Sequence, residues 1–282
     1  MIRTYRRKNI LLIIPGAAGF IFFYIVPFIY SFYYAMIDNA FNRKFIGLNN
    51  FIMVLSNKYY RLALKNTFEF TGIGVPLLVL LSFILALLLA SRGRVSTFFR
   101  APFVLPILIP SAAVVAVWQV IFNKDSHVMT WISSEVLKLG EIGLYRFPVL
   151  MFFTWKNTGF NLILFLAGFL NIPRELYEAC EVEGAGWIRK HLHITFPLLL
   201  PTTFFVIIIS IINSFKIFKE VFLLYGSYPS ETIYFVQHYM NNHFNKLNYQ
   251  NLTSGAIIFA LMVYILVVIG YKIENKLSEG VW

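Results

Sequence analysis

Six stretches of this sequence are apolar for about 20 residues or more: 10–34, 70–90, 101–122, 149–170, 198–224 and 252–271. A helix rises 1.5 Å per residue, so about 20 residues cross a hydrocarbon core of roughly 30 Å once. Lipid admits only helices or closed barrels, because every backbone N–H and C=O must be satisfied within the structure. Continuous apolarity, rather than alternation, selects the helix. The expectation is an all-α polytopic membrane protein with about six transmembrane helices. It forms a single transmembrane domain over residues 1–282, with a first span near 10–34 and a core near 66–275. Only 13% of the residues are charged, about half the share in soluble domains.

The first run follows Arg3, Arg6, Arg7 and Lys8. It exceeds the 7–15 apolar residues of a signal peptide, so it reads as an uncleaved span with its N-terminus inside. Residues 38–65 then form a polar outer loop, and six spans place both termini on one side. With both termini in the cytoplasm, the inner segments hold twelve Lys and Arg against nine in the outer loops, the sense that positive-inside topology requires. The net charge of +11 is taken up by this bias and by anionic lipid. No basic face interleaved with aromatics lies outside the runs, so nucleic acid is excluded as a partner.

Between the fourth and fifth runs lies NIPRELYEACEVEGAGWIRKHLHITFPLLLP, residues 171–201. Pro173 suits the first turn of a helix. Arg174, Glu178 and Glu181 fall on one face of that helix, with Leu176, Ala179 and Cys180 on the other. Gly184 and Gly186 then permit a sharp bend. A short basic segment, 187–193, leads to Pro197 and Pro201 at the mouth of the next span. The pattern is a helix–bend–helix at the membrane face, a docking element.

These residues resemble the EAA loop of ABC importer permeases: Glu178-Ala179-Cys180, then Glu183-Gly184-Ala185, then Ile194-Thr195-Phe196-Pro197. The family form is roughly EAA, two residues, DGA, a spacer, then I-x-LP. Cys180 stands here for Ala, Glu183 for Asp and Phe196 for Leu. The flanks, Trp155, Asn171-Ile172-Pro173 and 215–229, resemble the carbohydrate branch, the maltose-type permeases. The resemblance implies a type I importer fold in a bacterial-type cytoplasmic membrane. It also implies a second homologous permease, two cytosolic ATPase subunits and an extracytoplasmic solute-binding protein as partners. The ATPase would be coupled through Glu178, Ala179, Cys180, Glu183, Gly184, Ala185 and Pro197. ATP and Mg²⁺ would be bound by the ATPase, leaving no cofactor in this chain.

Catalysis finds no residues to carry it. Glu175, Glu178, Glu181 and Glu183 lie on a solvated amphipathic face, where nothing tunes them for acid–base work. His191 and His193 are two apart and point to different sides, and Cys180 is the single cysteine, so no metal site is expected. No Gly-x-x-x-x-Gly-Lys run cradles phosphates, so an active transporter needs its ATPase as a partner.

Polar residues inside spans are costly and face a bundle interior or a cavity. The fourth run carries Thr154, Lys156, Asn157 and Asn161; the fifth carries Ser210, Asn213, Ser214, Lys216 and Lys219. By the family resemblance the sugar path falls on Phe153, Lys156, Asn157, Phe160, Ser210, Ser214 and Ile217. Lys216 and Glu220, four apart, read as a local ion pair. Two readings of Lys156 stay open: a cross-helix pair with Glu69, or a path residue that hydrogen-bonds an acidic or highly hydroxylated sugar. Pro102, Pro106 and Pro110 predict a kinked third span. The function expected is the permease of a sugar or oligosaccharide importer. The alternatives are another cargo, such as glycerol phosphate or peptides, an ion-coupled carrier, or a membrane-embedded enzyme.

Overall fold

The structure, a computed structural model, describes residues 13–39, 41–90, 95–122, 127, 130 and 141–278, with side chains except at 95–101, 141–144, 277 and 278. The basic residues at positions 3–8, 92, 94, 124 and 138 lie outside this description. Among the described residues the β structure is one isolated antiparallel bridge, Ile37 with Phe45. The helices are α1 (Ile13–Ala35), α2 (Asn49–Ser56), α3 (Lys58–Ala90), α4 (Val95–Leu108), α5 (Ser111–Ile121) and α6 (Glu141–Leu170). They continue as α7 (Arg174–Val182), α8 (Trp187–Tyr225), α9 (Val236–Asn245) and α10 (Tyr249–Ser278).

Among the described residues five helices are long and apolar enough to cross a membrane, α1, α3, α6, α8 and α10, or six spans if the bent pair α4 and α5 makes one. That pair corrects the expectation of a single kinked third span: its two helices meet at 108°. Pro110 causes the break, because it pushes the residue before it out of the helical region. Its own ψ of 133° starts α5 in a new direction. The expected outer loop 38–65 is also largely helical, holding α2 and the first turns of α3. At 33 residues α3 is about 50 Å long, well beyond a core of roughly 30 Å, so part of it stands in the polar zone.

The chain divides into two compact units, residues up to Arg61 with Tyr239–Met262, and Leu62–His238 with residues from Val263 on. In the first, the buried Asn50 amide donates to the carbonyls of Ala35 (2.9 Å) and Ile37 (2.8 Å), acceptors left open at the end of α1. Tyr60 donates to the Gly255 carbonyl at 2.7 Å. The apolar window of α1 is 0% buried, as a surface facing lipid or a partner would be.

In the second unit α6 is the central helix: 61% of its apolar window is buried, against at most 33% for any other. One side packs Phe152 and Phe153 among Phe70, Val115 and Val221. Further along, Leu162 and Phe165 meet Ala86 and Val206. Outside the spans, His238 is fully buried and its Nδ1 accepts the Phe235 N–H at 3.1 Å. Burial holds this imidazole down at about 4, so it stays neutral at pH 7.

Among the described residues two π turns interrupt the helices, Ile21–Ile25 in α1 and His191–Thr195 in α8, and in each case a proline follows two residues later, Pro27 and Pro197. A proline ring clashes with the carbonyl four residues back. Widening the preceding turn carries that carbonyl clear of the ring.

In the second unit α6 crosses close over α4 at Gly159. A Cβ built on Gly159 would stand 1.8 Å from the Phe103 carbonyl oxygen, whereas one on Gly72 would meet nothing within 4 Å. Backbone cannot retreat as a side chain can, so Gly159→Ala must separate the helices. We expect Gly159→Ala to destabilise the chain by more than the 1–3 kcal/mol of ordinary overpacking, seen as a lower melting temperature in detergent. Gly72→Ala should be silent. Equal behaviour of the two variants would contradict this crossing.

Candidate functional site

The bend between α6 and α8 is built by local rules. Pro173, with φ −58° and ψ 134°, caps α7 rather than entering its first turn. At the far end Gly184 adopts φ +73°. Its N–H bonds the Glu181 carbonyl (3.0 Å), and the Ala185 N–H bonds the Cys180 carbonyl (2.9 Å). These are the two bonds of a Schellman cap, with Gly184 in the left-handed position that glycine adopts without strain. The Glu183-Gly184-Ala185 run is therefore the stop signal of the helix that carries Glu178-Ala179-Cys180.

The packed side of α7 is formed by Tyr177 and Cys180, which sit against Ile172, Ile194 and Leu199. Glu178, Ala179, Glu183 and Gly184 are exposed. Leu176, expected with the apolar face, is exposed as well, and Val182 is 90% exposed. After Gly186 the chain turns directly into α8, whose first turns show Trp187, Ile188 and Leu192 to the outside. The second arm of the bend and the following span are one helix of 39 residues, with Pro197 half-buried inside it.

Further along the same helices lies a polar interior. Lys156 on α6 donates to Glu220 on α8 (2.5 Å) and to Ser111 at the start of α5 (2.7 Å). Ser111 in turn donates to the same Glu220 oxygen at 2.9 Å. The Lys156 and Glu220 side chains are only 16% and 7% exposed. The bend at Pro110 frees Ser111 to join them. Nearby, Asn161 of α6 donates to Ser210 of α8 (2.8 Å), and Ser214 of α8 bonds Thr71 of α3 (2.9 Å). Thr154, Thr158 and Ser82 return their hydroxyls to carbonyls four residues back, the usual settlement for a helix in lipid.

This arrangement corrects two expected pairs. Lys156 does not meet Glu69. Glu69 accepts from Arg146 at 2.7 Å and lies 3.7 Å from Lys65. Arg146 also binds Asn66 and the Thr232 carbonyl, both at 2.8 Å. Nor does Glu220 pair with Lys216, which is exposed; Glu220 turns inward to Lys156.

Of the residues expected on a sugar path, Phe153 and Ile217 lie in the apolar core. Ser210 and Ser214 are buried in the cross-helix bonds just described. Asn157 is 8% exposed and donates to the Phe153 carbonyl at 2.8 Å. Phe160 is half-buried. Two residues that the sequence did not single out join this region: Ser111, and Trp118, whose ring lies 5.9 Å from that of Trp155.

A buried ion pair that loses one member leaves an uncompensated charge, at a cost of about 3–5 kcal/mol. Lys156→Gln and Glu220→Gln should each destabilise the chain by roughly that much, and the double variant should recover most of the loss. Combining Lys156→Gln with Glu69→Gln should recover none. Thermal unfolding in detergent measures all four, and rescue by Glu69→Gln instead would refute the assigned pair.

Comparison with known proteins places this architecture. Residues 51–279 match the family described as binding-protein-dependent transport system inner membrane component. The chain is 30% identical over 280 residues to the arabinooligosaccharides transport system permease protein AraP of Bacillus subtilis (strain 168), covering 94% of this chain and 86% of that protein. It is 25% identical over 276 residues to the sn-glycerol-3-phosphate transport system permease protein UgpA of Yersinia enterocolitica, covering 94% of each. In fold it resembles a chain of a bacterial ABC transporter involved in the import of the acidic polysaccharide alginate. The TM-score is 0.82 at 21% identity, over 97% of this chain and 98% of that one. The family match takes in α3 to α10, the helices that build both the bend and the polar interior. This chain therefore belongs to the binding-protein-dependent transport system inner membrane components, the permease subunits of ABC importers.

Proposed function

We propose that this permease forms part of the translocation path of a saccharide importer and is driven by a cytosolic ATPase through the bend at 171–197. The continuity of α8 carries this reading. The arm that exposes Trp187, Ile188 and Leu192 is the same helix that holds Ser210, Ser214 and Glu220 about five to nine turns on. A force on the arm moves the polar interior with it. Exposed Leu176, Val182 and Ile188 beside acidic Glu178 and Glu183 suit a cleft with apolar and basic walls. Glu178, Ala179, Cys180, Glu183, Gly184, Ala185 and Pro197 are assigned to that contact.

The bend then faces the cytoplasm, with both termini on the same side of a bacterial-type cytoplasmic membrane. A second permease completes the path, two ATPase subunits bind ATP and Mg²⁺, and a binding protein delivers cargo from outside. ATP-driven closure shifts the population between inward- and outward-facing arrangements.

Likeness alone does not choose the cargo, since both arabinooligosaccharide and glycerol-phosphate permeases are similar to this chain. Charge balance favours a sugar. The Lys156 ammonium is matched by Glu220, so an anion meets no spare charge there, while hydroxyls meet both donors and acceptors. Phe160, with Trp118 and Trp155, adds aromatic surface suited to sugar faces. Phe153, Asn157, Ser210, Ser214 and Ile217 are buried and reach cargo only as the helices part.

The test is uptake into proteoliposomes holding the permease pair, ATPases and binding protein. We expect ATP-dependent uptake of a neutral oligosaccharide and little of sn-glycerol-3-phosphate. Glu178→Lys should weaken ATPase association about 10- to 100-fold, the worth of one charge-assisted bond, and stop uptake. Normal uptake by that variant would sink the coupling role; uptake of glycerol phosphate alone would overturn the cargo.

A further inference from the structure

The two arms of the bend meet at Gly184-Ala185-Gly186, where the Schellman cap ties Gly184 and Ala185 to α7 and leaves the turn into α8 to Gly186. A hinge there would absorb any push before it reached α8. Something else has to set the angle between α7 and the start of α8.

We propose that Tyr177, Thr195 and His191 form a hydrogen-bonded brace that locks the two arms together. The Tyr177 hydroxyl lies 2.9 Å from Thr195 Oγ1, and His191 Nδ1 lies 2.7 Å from the same oxygen. Thr195 is fully buried. A threonine in an α-helix usually returns its hydroxyl to the carbonyl four residues back, which here is that of His191. In the π turn the Phe196 N–H takes the His191 carbonyl. Thr195 Oγ1 instead bridges the two arms, hydrogen-bonded to both the Tyr177 hydroxyl and His191 Nδ1. Trp187 packs edge-on against the His191 ring, with centroids 4.4 Å apart, and holds it in place. The Lys190–Glu181 ion pair also crosses the joint, but Glu181 is 65% exposed, so water and salt weaken it.

The brace rests on the coupling role proposed above for the bend; its geometry can be measured without it. Spin labels at Val182 and Ile188, in a Cys180→Ala background, report the distance between the arms in the full chain in lipid nanodiscs. Tyr177→Phe and Thr195→Val each remove one hydroxyl and keep the shape. Each should broaden the distance distribution at least twofold, and the double variant should do no more than either alone. Thr195→Ser, which restores the hydroxyl, should return the narrow distribution. In proteoliposomes the sugar carried per ATP should fall about five- to tenfold, the worth of one hydrogen bond, and recover with Thr195→Ser. An unchanged distribution in Tyr177→Phe and Thr195→Val would overturn the brace whatever transport does. A broadened distribution with unchanged sugar per ATP would support the brace and remove the coupling role of the bend.

Discussion

Inside a membrane a polar side chain has no water to fall back on, and the second unit of this protein is organised by where its polar side chains find one another. Lys156, Glu220 and Ser111 make one such meeting; Asn161 with Ser210, and Thr71 with Ser214, make two more. Each joins helices distant in sequence. Apolar packing between the same helices is less selective, because lipid tails compete for it on nearly equal terms. The polar contacts therefore fix which face of α8 looks at α6 and at what height.

The same contacts give the transport reading its mechanics. α8 is shared between an exposed arm and the polar interior, so the two cannot move independently unless the helix breaks. The π turn at His191–Thr195 is the one place within its first turns where it departs from α geometry, and there Thr195 ties it back to Tyr177. The Schellman cap at Gly184 ends α7 without spending any side chain, which leaves Glu178 and Glu183 free for a partner. Stop signal and exposed acidic charges thus share one short stretch without competing.

Local features were legible in the sequence and long-range ones were not. The bend could be read from Gly184 because a glycine after an amphipathic turn has few other uses. The spans could be read from their length, apart from the third, where three prolines signalled a distortion but not a break of 108°. The partner of Lys156 was out of reach. Counting from the ends of the apolar runs puts Glu69 level with Lys156. α3 begins twelve residues before its apolar run, at Lys58 rather than Phe70, and Glu69 meets Arg146 instead. Arg146 and Lys156 stand ten residues apart on α6, a separation of about 15 Å. Glu220 looked committed to Lys216 by spacing alone, and only packing turned it inward. Gly159 and Ser111 gave no signal at all, since a close crossing and a bend exist only in three dimensions.

The most direct measurement is contact between the bend and the ATPase. A photo-crosslinker placed at Val182, the most exposed apolar residue of α7, can be activated in intact membranes that contain the assembled transporter. If the bend docks on the ATPase, photolysis gives an adduct with the cytosolic ATPase subunit, and a membrane-impermeant reagent added from outside leaves a Val182→Cys variant unmodified. Labelling from outside, with no ATPase adduct, would contradict it.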